Sequence, residues 1–114
     1  MTTIYHNPRC SKSRQTLELI RGKGIEPNIV LYVQNAPSAA EITELLGKLG
    51  RGPRDIMRKG EAVYRELGLA DTSLSDAELI KAMADNPILI ERPIVVNGDK
   101  ARLGRPPEDV LEIL

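Results

Sequence analysis

The chain has 114 residues, and its sixteen Lys and Arg side chains are balanced by sixteen Asp and Glu side chains. We expect one domain with one core, because a chain of this length can bury about two thirds of the surface that its unfolded form exposes. A zero net charge gives no indication of a nucleic acid or membrane-surface partner, and no apolar run approaches the roughly 20 residues that cross a bilayer.

The first third of the chain predicts a βαβ unit. Residues 2–6 are rich in β-branched and aromatic side chains and stop at Asn7-Pro8, as a short strand followed by a turn would. Residues 11–23 predict a helix that a glycine closes. Residues 28–33 are apolar enough for a strand that is buried on both faces, as strands of parallel sheets are.

The middle of the chain, about residues 38–85, predicts a helical block. Ser38 and Ser75 each begin a Ser-x-x-Glu capping-box pattern, and apolar residues with helical spacing follow both of them. Two shorter helices are predicted between these, over residues 53–57 and 61–67.

The last part of the chain predicts a β-hairpin followed by a helix. Residues 93–96 and 100–103 flank Asn-Gly-Asp at residues 97–99, and Asn-Gly between two such runs is a strong hairpin signal. A final helix is predicted to start at the two prolines, residues 106–107. Its predicted inward-facing residues are Val110, Leu111 and Leu114.

This order of elements predicts an α/β fold. It corresponds to a thioredoxin-like four-stranded mixed sheet, with a helical insertion between the βαβ and ββα halves. We expect a single domain over residues 1–114.

Cys10 is the one cysteine, and it lies where the first predicted strand turns into the first predicted helix. The N–H groups and partial positive charge of a helix start favour the thiolate, and Arg9, Lys12 and Arg14 add charge nearby. The position therefore predicts a nucleophile. The alternative is a small buried hydrophobic residue, which is the commoner role of a cytosolic cysteine.

A serine stands at position 13, where a dithiol redox protein would carry its second cysteine. No signal-peptide pattern opens the chain, so we expect it in the cytoplasm, where thiols stay reduced. A catalytic Cys10 would then take its electrons from another molecule. The helix start could also hold an anion, assisted by Ser11 or Ser13, although either hydroxyl could simply cap the helix and capping is favoured for Ser13.

Arginines near predicted element ends are candidate oxyanion ligands, because the guanidinium group presents a planar fork of donors. Arg58 lies beside a predicted helix break, Arg92 precedes Pro93, and Arg102 and Arg105 flank the end of the last strand. In a thioredoxin-like sheet a proline at Pro93 is typically cis and lies against the active-site cysteine, which would bring Arg92 close to Cys10. A trans proline at a strand start is the alternative.

His6 is the only histidine and precedes Cys10 by four residues. It could help to ionise the thiol or order a hydrogen bond near the loop, or it could be purely structural. The residues alone do not decide between these roles.

Four motifs in order give the chain a family resemblance. They are Tyr-His-Asn-Pro-Arg-Cys-Ser-Lys-Ser at residues 5–13, Met-Arg-Lys at 57–59, Glu-Arg-Pro-Ile-Val-Val at 91–96 and Arg-Leu-Gly-Arg-Pro-Pro at 102–107. With these motifs the chain resembles the glutaredoxin-coupled, ArsC-type arsenate reductases over nearly its whole length. Its motifs more closely resemble those of the shorter chromosomal group.

The resemblance implies a thioredoxin-like fold, no bound cofactor and no metal. It implies that Cys10 is the nucleophile, that Arg58, Arg92 and Arg105 hold the oxyanion and that His6 lies near the cysteine. Arg102 receives no catalytic role. The implied partners are arsenate as substrate, glutathione as co-substrate and glutaredoxin as reductant.

Two other functions stay open. One is a glutathione-dependent thiol reductase that acts on another substrate, such as a glutathione mixed disulfide, because a cysteine among arginines suits either anion. The other is an Spx-like regulator that binds RNA polymerase. Sensing members of that group commonly carry a Cys-x-x-Cys pair, which the serine at position 13 breaks.

Overall fold

The computed structural model describes residues 1–114 and contains a four-stranded mixed sheet. Its strands are β1 (Thr2–Tyr5), β2 (Asn28–Val30), β3 (Ile94–Asn97) and β4 (Lys100–Leu103). They are arranged in the order β2-β1-β3-β4. β1 pairs parallel with β2 and antiparallel with β3, and β3 pairs antiparallel with β4. The predicted thioredoxin-like α/β fold is therefore confirmed.

The predicted helices are all present, some of them as 3-10 turns. The α-helices are α1 (Ser11–Gly22), α2 (Ala39–Leu49), α3 (Ala62–Glu66) and α4 (Asp76–Asp85). The 3-10 segments are Pro53–Ile56, Pro87–Leu89 and Pro107–Ile113. None of these helices combines the length and apolar character that a membrane span requires.

The chain divides into two compact units. The first unit comprises Met1–Asn35 and Arg92–Leu114, and it holds the sheet, α1 and the C-terminal 3-10 helix. The second unit, Ala36–Glu91, holds α2, α3 and α4, and the predicted helical insertion falls inside it. That residues 1–114 form a single domain stays a prediction.

The core of the first unit lies where α1 and the C-terminal 3-10 helix meet the sheet. Ile4 and Val95 pair across β1 and β3, and neither is exposed. Leu17 and Ile20, one helical turn apart, are the residues of α1 that pack into this core, as the apolar spacing of the helix predicts. The cluster is Ile4, Leu17, Ile20, Val95, Val110 and Ile113.

The second strand is shorter and more exposed than predicted. It ends at Val30, and a turn follows in which the Gln34 and Asn35 N–H groups donate to the Leu31 carbonyl. Ile29 is 37% exposed and Val33 is 43% exposed, so the prediction of a strand buried on both faces was wrong. The physical reason is position, because β2 is an edge strand and its apolar residues are not enclosed as those of a central strand are.

The face that the C-terminal helix buries matches the predicted face only in part. Its buried residues are Pro107, Val110 and Ile113, whereas Leu111 and Leu114 are only partly buried. A 3-10 helix has three residues per turn, so residues three apart share a face. Val110 is buried as predicted, and Leu114 is partly buried and packs against the core. The prediction assumed the period of an α-helix, so it included the half-buried Leu111 and left out Ile113.

The predicted hairpin is present, with a loop one residue shorter than predicted. Asn97 is the last residue of β3 and pairs with Lys100, so Gly98 and Asp99 form the loop. Gly98 has a φ of +65°, which glycine adopts without strain.

The second unit begins its main helices as the capping patterns predict. The Ser38 hydroxyl accepts the Glu41 N–H at the start of α2. Ser75 and Glu78 form a reciprocal capping box at the start of α4. The buried residues of this unit include Ile42, Leu45, Leu46, Ile56, Leu79, Met83 and Leu89.

Candidate active site

Cys10 is the N-cap residue of α1, with an extended backbone before the helix turns. Burial raises the pKa of the Cys10 thiol, but the nearby Ser13 N–H, the Arg92 side chain and the Lys12 N–H lower it, and the net pKa lies below the ordinary cysteine value. These N–H groups have no helical partner in a first turn and are free to donate to an anion. The lowered pKa favours the thiolate, which is the form that reacts.

Arg92 contacts the sulfur from the start of the third strand. Its guanidinium donates to Cys10 and to the fully buried Tyr32. Burial lowers the pKa of Arg92, but the bonds to Cys10 and Tyr32 raise it, so Arg92 stays charged beside the Cys10 sulfur. The Arg92–Pro93 peptide bond is cis, as predicted.

Arg105 is the second cation beside Cys10. Its Nη2 lies 3.9 Å from the Cys10 sulfur, and its Nε donates to the Arg92 carbonyl oxygen over 2.9 Å. The side chain is exposed, so it faces solvent as well as the sulfur. Two predicted oxyanion ligands therefore meet at the predicted nucleophile.

His6 and Ser13 form a buried pair behind the cysteine loop. His6 Nδ1 and Ser13 Oγ are 2.5 Å apart, and the Ser13 hydroxyl also accepts the Asn7 N–H over 3.0 Å. Ser13 is fully buried and His6 is 6% exposed. The favoured role of Ser13 as a helix cap was therefore wrong, because its hydroxyl holds the loop before the helix and Cys10 occupies the cap position.

The His6 imidazole is held in its neutral form. Burial lowers the pKa of His6, and the positive charges of Arg21 and Arg14 lower it further. The ring does not contact Cys10 in any hydrogen bond of the structure, so it orders the loop through Ser13. Its influence on the thiol is indirect.

Two further residues support the site without having been predicted. Thr16 is fully buried on α1, and its hydroxyl donates to the Lys12 carbonyl over 2.8 Å. Gly104 packs so closely that a Cβ added there would lie 2.5 Å from Thr16 Oγ1 and 2.8 Å from Pro93 Cγ. The Gly104 N–H donates to the Pro93 carbonyl over 2.9 Å.

Tyr32 was also missed. It falls in the apolar run that predicted a buried strand, and nothing in that run marks one side chain as a partner of Arg92. Thr16 has the helical spacing of a core residue, and only the Arg-Leu-Gly-Arg motif drew attention to the neighbourhood of Gly104.

No hydrogen bond joins the remaining candidate site residues to Cys10. Arg58, in the second unit, pairs with Glu61 at 3.2 Å and with Glu91 at 2.7 Å. Arg102 pairs with Glu112 at 3.2 Å. Ser11 is the first residue of α1 and is exposed at the helix start.

Nowhere in the chain do three or more His, Cys, Asp and Glu side chains cluster in a way that could hold a metal ion. The site consists instead of one lowered-pKa thiol, the N–H groups of a helix start and two guanidinium groups. Such a site can attack an electrophile that carries negative charge and can stabilise the charge that develops. The fold and the site define a thioredoxin-like protein with one free cysteine at a helix start.

The ArsC family profile matches residues 5–113, and the chain belongs to this family. It is 58% identical over 112 residues to the uncharacterized protein YfgD of Escherichia coli, covering 97% of this chain and 94% of that one. It is 54% identical over 112 residues to an arsenate reductase of Haemophilus influenzae, covering 97% of each. A solved arsenate reductase of Vibrio cholerae superposes with a TM-score of 0.97 at 53% identity, covering 99% of this chain and 97% of that one.

Proposed function

We propose that this protein is a cytoplasmic arsenate reductase in which Cys10 is the nucleophile. The observation that carries the proposal is the placement of two guanidinium groups at a thiol of lowered pKa. Arsenate is a tetrahedral oxyanion, and guanidinium groups and helix-start N–H groups are its natural ligands. The relatives named as arsenate reductases support the same substrate.

In the first step the Cys10 thiolate attacks arsenic(V). A sulfur–arsenic bond forms and an arsenic–oxygen bond breaks, with the oxygen leaving as hydroxide that solvent protonates. Arsenic stays pentavalent in this thiol–arsenate adduct. Arg92 and Arg105 would hold the arsenate oxygens and stabilise their charge, and the Ser11 hydroxyl and backbone at the start of α1 would assist.

In the second step glutathione supplies the electrons. Its thiolate attacks the Cys10 sulfur, a disulfide forms, and the sulfur–arsenic bond breaks with its electron pair staying on arsenic, which leaves as arsenite. Glutaredoxin and a second glutathione then reduce the Cys10–glutathione disulfide and regenerate the thiol. An external reductant is needed because the chain has no second cysteine.

Arg58 is proposed as a third oxyanion ligand on the family resemblance alone. It belongs to the second unit, where Glu61 and Glu91 pair with its guanidinium. We expect Arg58→Gln to raise the KM for arsenate several-fold while the pH dependence of Cys10 alkylation stays at that of the unmodified protein. An unchanged KM would remove Arg58 from the proposed site.

The function is tested by arsenate reduction with glutathione, glutaredoxin, glutathione reductase and NADPH. We expect NADPH oxidation that requires arsenate and that is lost in Cys10→Ser, since a serine hydroxyl is a far weaker nucleophile than a thiolate. Omitting glutaredoxin in a parallel assay tests the identity of the reductant.

A glutathionylated peptide replaces arsenate in the matched assay. Turnover of the peptide without turnover of arsenate would contradict the proposal and favour a glutathione-dependent reductase of another substrate. Arsenate turnover that survives in Cys10→Ser would contradict the assignment of the nucleophile.

A further inference from the structure

Arg58 is held at its backbone by an antiparallel bridge inside the second unit. The bridge residues are Met57 and Ile90, and both are buried. The N–H groups of the residues that follow them, Arg58 and Glu91, each donate over 2.7 Å to a carbonyl oxygen of the opposite segment. The main chains of Arg58 and Glu91 are therefore fixed relative to each other, although the two residues are 33 positions apart in the sequence.

The side chains of Arg58 and Glu91 meet at this bridge. Arg58 Nη1 donates to Glu91 Oε1 over 2.7 Å, and Arg58 Nε donates to Glu61 Oε2 over 3.2 Å. A distance of 2.7 Å is at the short end of the range for a charged donor and a carboxylate, so the bond to Glu91 is the stronger of the two. The side chains of Arg58 and Glu91 are only 23% and 24% exposed, which limits the screening of this pair by salt.

The bond to Glu91 restricts the guanidinium group of Arg58 without using all of its donors. The two carboxylates accept from Nε and from one N–H of Nη1, so both N–H groups of Nη2 can donate to another acceptor. An arginine side chain has many rotamers, and ordering it before a ligand arrives reduces the entropy that is lost on binding. A carboxylate can therefore improve an anion site by ordering the arginine, although its own charge repels the anion.

We propose that Glu91 is a positioning residue for Arg58 and orders its guanidinium group for an arsenate oxygen at Nη2. The inference rests on the proposed function, because the role of Arg58 as an oxyanion ligand is part of that proposal. Glu91 carries negative charge, so it acts through Arg58 and not on arsenate itself. If Glu91 instead competed with arsenate for Arg58, removal of the carboxylate would tighten arsenate binding, so the two effects differ in sign.

The first test is the KM for arsenate in Glu91→Ala and Glu91→Gln, measured with glutathione and glutaredoxin. In Glu91→Ala we expect KM to rise about two- to tenfold, the loss that corresponds to one long side chain no longer being ordered before binding. We expect kcat to change by less than about twofold, because an interaction made equally in the ground state and the transition state affects KM alone. Glu91→Gln keeps an oxygen acceptor at the same position, so its KM should lie closer to that of the unmodified protein.

A double variant tests whether the effect passes through Arg58. Glu91→Ala combined with Arg58→Gln should have the KM of Arg58→Gln alone, because a positioning residue has nothing to act on once the guanidinium group is gone. A further rise of KM in the double variant would contradict the positioning role. The matched control is Glu112→Ala, which removes the carboxylate that pairs with Arg102 at 3.2 Å and should leave KM unchanged. Circular dichroism verifies that each variant is folded.

The ¹⁵N NMR signals of the Arg58 side chain provide a readout that needs neither arsenate nor glutathione. They are identified by their absence in Arg58→Gln. We expect the guanidinium group to rotate faster about its Nε–Cζ bond in Glu91→Ala than in the unmodified protein, because the bond from Nη1 to the carboxylate is lost.

An unchanged or lowered KM in Glu91→Ala would overturn the inference while arsenate reduction itself stands. Equal rotation rates in Glu91→Ala and the unmodified protein would overturn it as well, whatever the substrate. A protein without arsenate turnover would overturn the proposed function, and faster rotation in Glu91→Ala would still support the ordering of Arg58. The two failures are therefore distinguishable.

Discussion

Arg105 donates from Nε to the main-chain carbonyl of Arg92 over 2.9 Å, so the two cations that face Cys10 are also bound to each other. The bond uses the backbone of Arg92 and leaves its guanidinium for Cys10 and Tyr32. It also directs the Nη2 end of Arg105 toward the sulfur, 3.9 Å away. The Arg92 carbonyl therefore orients the Arg105 side chain, and the Arg92 guanidinium takes no part in this bond.

Replacing Arg92 by glutamine should destabilise the thiolate form of Cys10. Arg92→Gln removes a charged donor to Cys10, and we expect the alkylation rate below the midpoint to fall by about tenfold or more, since a hydrogen bond to a charged group contributes about 1.5–3 kcal/mol. The measurement is the iodoacetamide rate as a function of pH. Arg102→Gln is the control, because Arg102 pairs with Glu112. Equal profiles for the two variants would contradict the role of Arg92.

Gly104→Ala should destabilise the protein. The new Cβ would meet Thr16 Oγ1 at 2.5 Å and Pro93 Cγ at 2.8 Å, and overpacking of this kind lowers the free energy of unfolding by about 1–3 kcal/mol. Urea denaturation measures the change. Gly47→Ala, inside α2 with no atom near the added Cβ, should instead stabilise by about 0.5–1 kcal/mol. A Gly104→Ala protein as stable as the unmodified one would show that the strand end relaxes freely.

Ser13→Ala should also lower the free energy of unfolding. The change leaves the buried His6 Nδ1 and the Asn7 N–H without the hydroxyl that binds both, and a buried polar group deprived of its partner costs about 1–3 kcal/mol. Ser11→Ala, at an exposed position of the same helix, should change stability by no more than about 0.5 kcal/mol. Similar losses in the two variants would indicate that water replaces the Ser13 hydroxyl.

Acid should destabilise the protein through His6. Burial and the charges of Arg21 and Arg14 place the pKa of His6 in the folded state below its unfolded value of about 6.5. The unfolded state therefore binds the proton first as the pH falls. Stability decreases below about pH 6.5 and continues to decrease until the folded state is protonated as well.

The contribution of His6 is isolated by comparing urea denaturation of the unmodified protein and His6→Gln at about pH 7.5 and about pH 5.5. Other groups titrate in both proteins, so the difference in their pH slopes belongs to His6. We expect the smaller loss of stability in His6→Gln. Equal losses would mean that the imidazole is protonated as readily in the folded protein as in the unfolded chain.

The local signals of the sequence predicted the elements well because they act over a few residues. Ser75 and Glu78 form their capping box whatever surrounds them, and Asn97-Gly98 favours a hairpin turn by backbone conformation alone. The wrong predictions concern properties that depend on contacts with distant parts of the chain. The apolar residues of the second strand gave no indication that it would be an edge strand, and the C-terminal segment gave no sign of its 3-10 period.

By itself the sequence determined the order of the elements and the position of Cys10 at a helix start, because both follow from short-range patterns. The motifs it carries further identified the family. Only the tertiary structure decided that Arg92 and Arg105 reach the sulfur and that Tyr32, Thr16 and Gly104 support them. These contacts join residues that are distant in sequence. They arise when the helix packs on the sheet, and local sequence patterns do not predict them.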